Sequence, residues 1–357
     1  MHVLAHIPVA STVSPMSRKP VARSRRLTVE SLESRAMLAG NVGVSVVNGN
    51  LVVQGDEFSN GVTIQSRGSG TYRIVTFLFE GEPTRINGSS DNDQLFFGAT
   101  ADVNVTMAGG NDRVRLVGLN SPALIGRNLN VNCGAGDDQL EAAVRVGQSQ
   151  GGYVIVRNAS MNLGDSVVPK NLVVSGDSLD LSNVVVGGDV TVTGRAIDDS
   201  IIMRTLRARN LYLDSGAGVD QVKLIARSQI AGDVRILTGE GDDRVQIGSL
   251  SAANLTIDLG PFAPSTSIAE TASVSIYGQS NIEHDVRITG SEERDDMTID
   301  GLHAGDAFFA WLGDGNDRLA ISNSSSPKAT LRGGNGFDKL ILGEGNSIDE
   351  IDQTGFE

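Results

Sequence analysis

From about residue 102 to 343 the chain alternates apolar and polar residues in short runs, as in Val234-Arg235-Ile236 and Val245-Gln246-Ile247. Alternation with a period of two marks a half-buried strand, and the helical i, i+3, i+4 spacing is missing from these runs. The runs recur in a fixed phrase: Asn or Asp, an apolar-x-apolar strand, a Gly-rich acidic turn, then a second strand. NLNVNCGAGDDQLEAAV at 128–144, NLYLDSGAGVDQVKLIA at 210–226 and DVRILTGEGDDRVQIG at 233–248 are examples. The phrases open at Asp102, Asn128, Gly152, Asn171, Asp189, Asn210, Asp233, Asn254, Asp285, Asp306 and Lys328, with most steps near 21 residues. The longest step, 31 residues, contains GPFAPSTSIAETA at 260–272, whose Pro, Ser and Thr predict a protruding loop.

A unit of two or three four-residue strands cannot bury its inner face alone, whereas stacked copies build a continuous core. The pattern therefore predicts an all-β fold, a right-handed parallel β-helix (β-solenoid) with about 21 residues per coil, its hand assigned from general chirality. Eleven coils at a strand spacing of about 4.8 Å would extend about 50 Å. The domain reading is a basic N-terminal targeting segment at 1–40, disordered or a short helix, then degenerate coils and a cap at 41–101. A regular solenoid follows at 102–343, and 344–357 is read as a tail that leaves the repeat and frays or caps. The aromatic-rich TFLFEGEP at 76–83 is read as cover for the open N-terminal end, which would otherwise invite edge pairing.

Composition narrows the partners. Among 357 residues there are 43 Gly, one Trp, one Cys and only 4% aromatics, and the net charge is −14. The first 40 residues hold Arg18, Lys19, Arg23, Arg25, Arg26 and Arg35 against Glu30 and Glu33, so the body is more acidic than the chain as a whole. An acidic body poor in aromatics argues against nucleic-acid binding, which needs basic grooves and stacking platforms, and suits divalent cations. Cys133 has no partner for an internal disulfide, and no apolar run is long enough for a transmembrane helix.

The N-terminal stretch MSRKPVARSRRLTVESLESRAMLAG at 16–40 has a basic cluster with no apolar core after it, unlike a secretory signal. Glu30, Leu32, Glu33, Arg35 and Leu38 resemble the LEPR-x-LL motif of exported planctomycetal proteins, with Val29, Ser34 and Met37 departing from it. That resemblance implies export and an extracellular or cell-surface place. Family members begin close to the basic stretch, which points to Met16 as the start and to 1–15 as a gene-start artefact.

The acidic turns carry the chemical signal. They align as G-x-G-x-D at Gly134–Asp138, Gly216–Asp220, Gly239–Asp243, Gly313–Asp317 and Gly334–Asp338, with Ala108–Asp112 a near match. GGNGFDKLI at 333–341 resembles the hemolysin-type (RTX) calcium nonapeptide in full. The resemblance implies Ca²⁺ as the cofactor and Asp112, Asp138, Asp220, Asp243, Asp317 and Asp338 as metal ligands. RTX nonapeptides run two per coil, whereas here one turn occurs per coil. Stacked carboxylates ~5 Å apart repel by roughly 1 kcal/mol in water and ~3 at an effective dielectric of 20, which an ion would relieve. The plain alternative is that Asp bonds its own backbone and Gly serves a positive φ, with no ion at all.

The other candidates read as structural. The Asn/Asp positions before each first strand read as Asx turns. Cys133 continues the inward alternation of Leu129 and Val131. His284 and His303 lack the spacing of a metal triad. In Phe308-Phe309-Trp311 the alternation is read with Phe309 and Trp311 inward and Phe308 exposed. These features predict a noncatalytic surface or matrix protein, structural or adhesive, with a cell-envelope protein or polysaccharide as its partner. The alternative is a polysaccharide-active lyase or hydrolase on a parallel β-helix, which needs carboxylates, basic residues and aromatics converging in a groove.

Overall fold

The computed structural model describes residues 40–357 apart from 82, 120–121, 148–153, 158–159, 165 and 262–270. The segment before residue 40 read as a targeting segment, with Met16, and the centre of the loop at 260–272 lie outside the described residues.

The described chain is all strand, without a helix, and winds into stacked parallel coils. One coil shows the plan. Leu211–Asp214 forms the first face, the acidic turn follows, Gln221–Ile225 forms the second face, and Gln229–Ile230 the short third. The next coil repeats this with Asp233–Leu237, Arg244–Gly248 and Ser251–Ala252, in parallel register. The second-face strands join in a 14-stranded sheet, and the first and third faces share the other, of 24 strands.

The period-two alternation does what it predicts. In the first face Leu211 and Leu213 point inward and stack on Val234 and Ile236, and in the second Val222 and Leu224 stack on Val245 and Ile247. The innermost column reads Leu129, Val154, Leu172, Val190, Leu211, Val234, Leu255, Val286, so a long side chain alternates with a short one along the core. Alternating sizes let neighbouring layers interdigitate at the density of a protein interior. The corner from second to third face is turned by one residue of positive φ at Asn183, Thr205, Ser249, Gly278, Gly301 and Asn323, and by two, Ala226 and Arg227, in the coil between Thr205 and Ser249.

The opposite corner, before the first face, alternates in step with the core. Asn precedes Leu and Asp precedes Val: Asn171-Leu172, Asp189-Val190, Asn210-Leu211, Asp233-Val234, Asn254-Leu255, Asp285-Val286. The Asx side chains bond between coils rather than within their own turn. Asn210 Nδ2 donates to Asp189 Oδ1 at 2.8 Å, and Asn210 Oδ1 accepts from the Asp233 N–H at 2.9 Å. Asn254 does the same between Asp233 (2.8 Å) and Asp285 (3.2 Å). Each amide thus stands in the coil between two carboxylates, which lie two coil steps apart.

Three stretches differ from expectation. Asn50–Gln54 and Gly61–Ser66 make one true coil, paired in parallel with Val103–Thr106 and Arg113–Gly118. Around it Gly40–Val47 and Tyr72–Phe77 run antiparallel, so 41–101 holds a single coil wrapped by reversed strands rather than a series of degenerate coils. Residues 344–357 stay in the repeat: Ser347–Thr354 pairs in parallel with Ser325–Gly336. At Phe308-Phe309-Trp311 the parity is the reverse of that expected. Phe308 stacks on Val286 and is buried, while Trp311 is 60% exposed, because the in-register neighbours Val286 and Ile288 fix which positions face the core.

Candidate functional site: a buried aspartate ladder

The G-x-G turns owe their glycines first to stacking. Gly336 has φ near 136°, and a Cβ there would lie 1.4 Å from the Gly315 carbonyl oxygen of the coil before. Gly241 has φ near 142° and would meet the Gly218 oxygen at 1.7 Å. The carbonyl of one turn therefore rests on the glycine of the next, where no side chain fits.

This close stacking carries the aspartates inward. Asp112, Asp138, Asp220, Asp243, Asp317 and Asp338 are all buried, at 0–2% exposure. The Asp112 N–H donates to Asp138 Oδ1 at 2.8 Å, the Asp220 N–H to Asp243 Oδ1 at 2.8 Å, and the Asp317 N–H to Asp338 Oδ1 at 3.0 Å. The Asn60 N–H feeds Asp112 Oδ1 in the same way. One oxygen of each carboxylate is thereby satisfied by the main chain of the preceding coil. The other, Oδ2, is buried and has no hydrogen-bond partner in any of these six residues. An outer line beside it runs the other way: Asn111, Asp198 and Asn316 accept from the N–H groups of Asp137, Val219 and Phe337, each at 2.9 Å.

Two members lie outside the G-x-G-x-D pattern. Asp199 and Asp295 occupy the same position in their coils, and their N–H groups donate to Asp220 Oδ1 and Asp317 Oδ1 at 2.8 Å. Their turns lack both motif glycines, but each has a Gly five residues before the Asp. A Cβ on Gly194 or Gly290 would come within 2.2 or 2.3 Å of the carboxylate, so that glycine makes room for it. Asp295 folds back on its own turn, accepting from the Ser291 N–H (2.7 Å) and Oγ (3.1 Å), and Asp199 accepts from the Arg195 N–H at 2.7 Å. Register places Ala272 between Asp243 and Asp295, which interrupts the ladder.

Burial dominates the electrostatics. Loss of solvation pushes Asp112 up to about 8, Asp138 to about 6, and Asp199, Asp243, Asp295 and Asp317 to about 7, with neighbouring carboxylates adding to the rise. Asp220 is raised for the same reason. The hydroxyls of Ser215 and Thr238 sit beside Asp220 and Asp243 and moderate their shifts. Those hydroxyls donate along the stack, to the Thr238 and Leu259 carbonyls, which leaves the Oδ2 atoms without a donor. Burial also lifts the Cys133 thiol, so it stays protonated.

The acids stand in single file, one per coil. Among the described residues no three His, Cys, Asp or Glu side chains gather about one point. A bound cation would therefore draw on one free carboxylate oxygen per coil together with main-chain carbonyls. The orphaned oxygens and the row of buried acids, which a cation would hold ionised, fit a hard cation; among the described residues a cage made of carboxylates alone is not present. His284 Nδ1 lies 2.9 Å from Asp306 Oδ2 at the corner after the third face, and His303 Nδ1 2.7 Å from Ser325 Oγ on the third face, both exposed and apart from the ladder.

Residues 23–42 match a protein-family model described as Planctomycete extracellular, which supports export of the chain. No curated protein matches the chain, and no solved structure does. Among the described residues no helix is long and apolar enough to cross a membrane.

Proposed function

We propose that the chain is an exported, noncatalytic β-solenoid with a structural or adhesive place at the cell surface or in its matrix, its coils tied together by Ca²⁺ along the acidic turns. The carrying observation is the row of buried Oδ2 atoms at Asp112, Asp138, Asp220, Asp243, Asp317 and Asp338 that no donor satisfies. A buried carboxylate oxygen without a partner is costly, and a cation bridging successive coils removes the cost. Calcium takes six to eight oxygens, so turn carbonyls and water would complete each site. The family match at 23–42 and the LEPR-x-LL resemblance at Glu30–Leu38 agree on export.

The polysaccharide-active alternative would draw on the open depression lined by Asp177, Asp198, Asp199, Asp220 and Arg244. Three of its carboxylates have one oxygen each tied to the main chain, Asp198 by Val219, Asp199 by Arg195 and Asp220 by Asp199, and this fixed place in the stack supports the noncatalytic reading.

The test is thermal melting of the full chain in millimolar Ca²⁺ and in chelator. Extracellular modules bind calcium with Kd of about 10⁻⁴–10⁻³ M. One site at about ten times its Kd adds roughly 1.4 kcal/mol. The two curves should differ by several degrees, and Asp338→Ala should narrow the gap. Superimposable curves leave the ladder as plain structural corners. Blotting of cell, envelope and medium fractions tests the export component separately.

A further inference from the structure

The one tryptophan of the chain stands on the outside of the first face. Trp311 is 60% exposed, and Phe309, two residues earlier in the same strand, faces the same way. Two such side chains sit about 6.6–6.8 Å apart on a strand. Register brackets both rings: Phe309 lies between Arg287 and Thr330, and Trp311 between Thr289 and Arg332. The Arg287 guanidinium packs over the Phe309 ring at 5.1 Å from its centroid, which holds that ring in place. Single exposed aromatics, such as Phe97 and Phe337, are ordinary, whereas neighbouring ones that form a patch mark an interaction site.

We propose that Phe309 and Trp311 form a platform for a neutral polysaccharide. Pyranose rings present flat C–H faces that stack on aromatic faces, while their hydroxyls need donors and acceptors at the rim. Arg287 paired to Asp285 and Arg332 paired to Asp352, each at 2.7 Å, supply both kinds in fixed positions on opposite sides of the ring pair. Charge selects the neutral partner. Each flanking guanidinium is neutralised by its own carboxylate, and the chain carries −14, so an anionic glycan gains no cation and meets the field of the body. A basic protein would be drawn to the acidic surfaces instead of to rings flanked by arginine. The platform points outward and the aspartate ladder inward, so this inference does not rest on calcium.

Because Trp311 is the one tryptophan, its fluorescence reports the platform directly. Full-length protein, with Ca²⁺ in every arm, is run through native gels containing hydroxyethylcellulose, xylan or galactomannan, and its emission is titrated with the same polymers. At least one should retard the protein and shift the emission saturably to the blue. Trp311→Ala should weaken retardation by about tenfold or more, as for a central aromatic anchor, and Phe309→Ala by less. Tyr212→Ala, on the same outer column four coils earlier and roughly 19 Å away, should leave it unchanged. Melting curves confirm that these outward substitutions leave the fold intact. Retardation by none of the three polymers overturns the proposal. Equal retardation of the Trp311 variant also overturns it, as does preference for carboxymethylcellulose over hydroxyethylcellulose. Capture of a protein partner that the polymers do not displace would assign the platform to protein recognition and overturn it equally.

Discussion

The N–H of Asp220 donates to Oδ1 of Asp243 at 2.8 Å, across one coil step, while Asp243 Oδ2 stays buried without a partner. Each acidic turn is thus fastened by half of the carboxylate that follows it. The free half makes opposite demands on an ion-bound and an ion-free stack.

Asp243→Asn separates those demands. The amide keeps an acceptor for the Asp220 N–H, removes the buried charge, and can donate to the adjacent Thr238 hydroxyl. In chelator near pH 8 the variant should be more stable than the parent, on the order of 1–2 kcal/mol, the usual cost of a buried unsatisfied group. In millimolar Ca²⁺ the order should reverse, because the variant has lost a charged ligand. Melting both proteins under both conditions checks it, and a variant weaker than the parent everywhere would sink the ion-bound reading.

The same raised carboxyls set the pH dependence of the ion-free protein. Unfolded aspartates titrate near 4, whereas Asp138 titrates at about 6, Asp199, Asp243, Asp295 and Asp317 at about 7, and Asp112 at about 8. Between those values the folded state holds protons that the unfolded chain has released, so stability falls as pH rises. The contribution is full below about pH 4 and lost by about pH 8. Asp102 and Asp189, held low by hydrogen bonds from Arg127 and Arg209, act in the opposite sense, and only at the acid end. The melting temperature in chelator should therefore drop steadily from about pH 5 to about pH 8, and saturating Ca²⁺ should flatten the slope. A chelated protein most stable near pH 8 would contradict the burial of these acids.

What the chain discloses by itself follows from which contacts are local. Strands and coils are legible because alternation is read within four residues, and the stack because the phrase recurs. The ladder is legible only where its glycines are. Gly218 and Gly241 flag Asp220 and Asp243, whereas Asp199 and Asp295 have neither motif glycine and surface only when coils are superposed. The Asn-Leu and Asp-Val alternation is plain in the sequence, but its meaning depends on bonds between residues 21–31 positions apart, such as Asn254 to Asp233 and Asp285. The alternation alone reads Phe308 as outward and Trp311 as inward, because an isolated aromatic run fixes a period but not its phase. Val286 and Ile288 in the neighbouring coil supply the phase.

The amide at Asn210 insulates Asp189 from Asp233. Asn210→Asp keeps the acceptor for the Asp233 N–H but aligns three carboxylates in successive coils. At about 4.8 Å spacing each new pair costs roughly 1 kcal/mol in water and ~3 at an effective dielectric of 20. The partial exposure of this corner and the Arg209 partner of Asp189 favour the lower figure. Salt should recover much of the loss for Asn210→Asp. Asn210→Ala loses the same Nδ2 bond without adding charge and should show little salt dependence. Melts at low and high ionic strength distinguish the two, and equal salt response would show that insulation is not the role of the amide.

Because each coil touches only its neighbours, the position of a defect decides how far it spreads. Gly336 and Gly241 sit at equivalent places, and a methyl group at either would collide with a carbonyl oxygen, of Gly315 at 1.4 Å or of Gly218 at 1.7 Å. Both substitutions to Ala should cost about 3 kcal/mol or more, since a positive φ and a backbone clash combine. Gly336→Ala lies in the penultimate first-face strand, so its damage can be confined by releasing Lys339–Leu342 and Ser347–Thr354. Gly241→Ala lies mid-stack, where the coils at Leu211–Asp214 and Asn254–Asp258 both pair with the affected one and no end is near enough to fray. Hydrogen exchange should show lost protection only in those two terminal strands for Gly336→Ala. For Gly241→Ala it should show a fall across the whole stack, with a lower melting temperature. Equal and global loss in both variants would mean that the coils unfold as one cooperative unit and that the nearest-neighbour account of this solenoid is wrong.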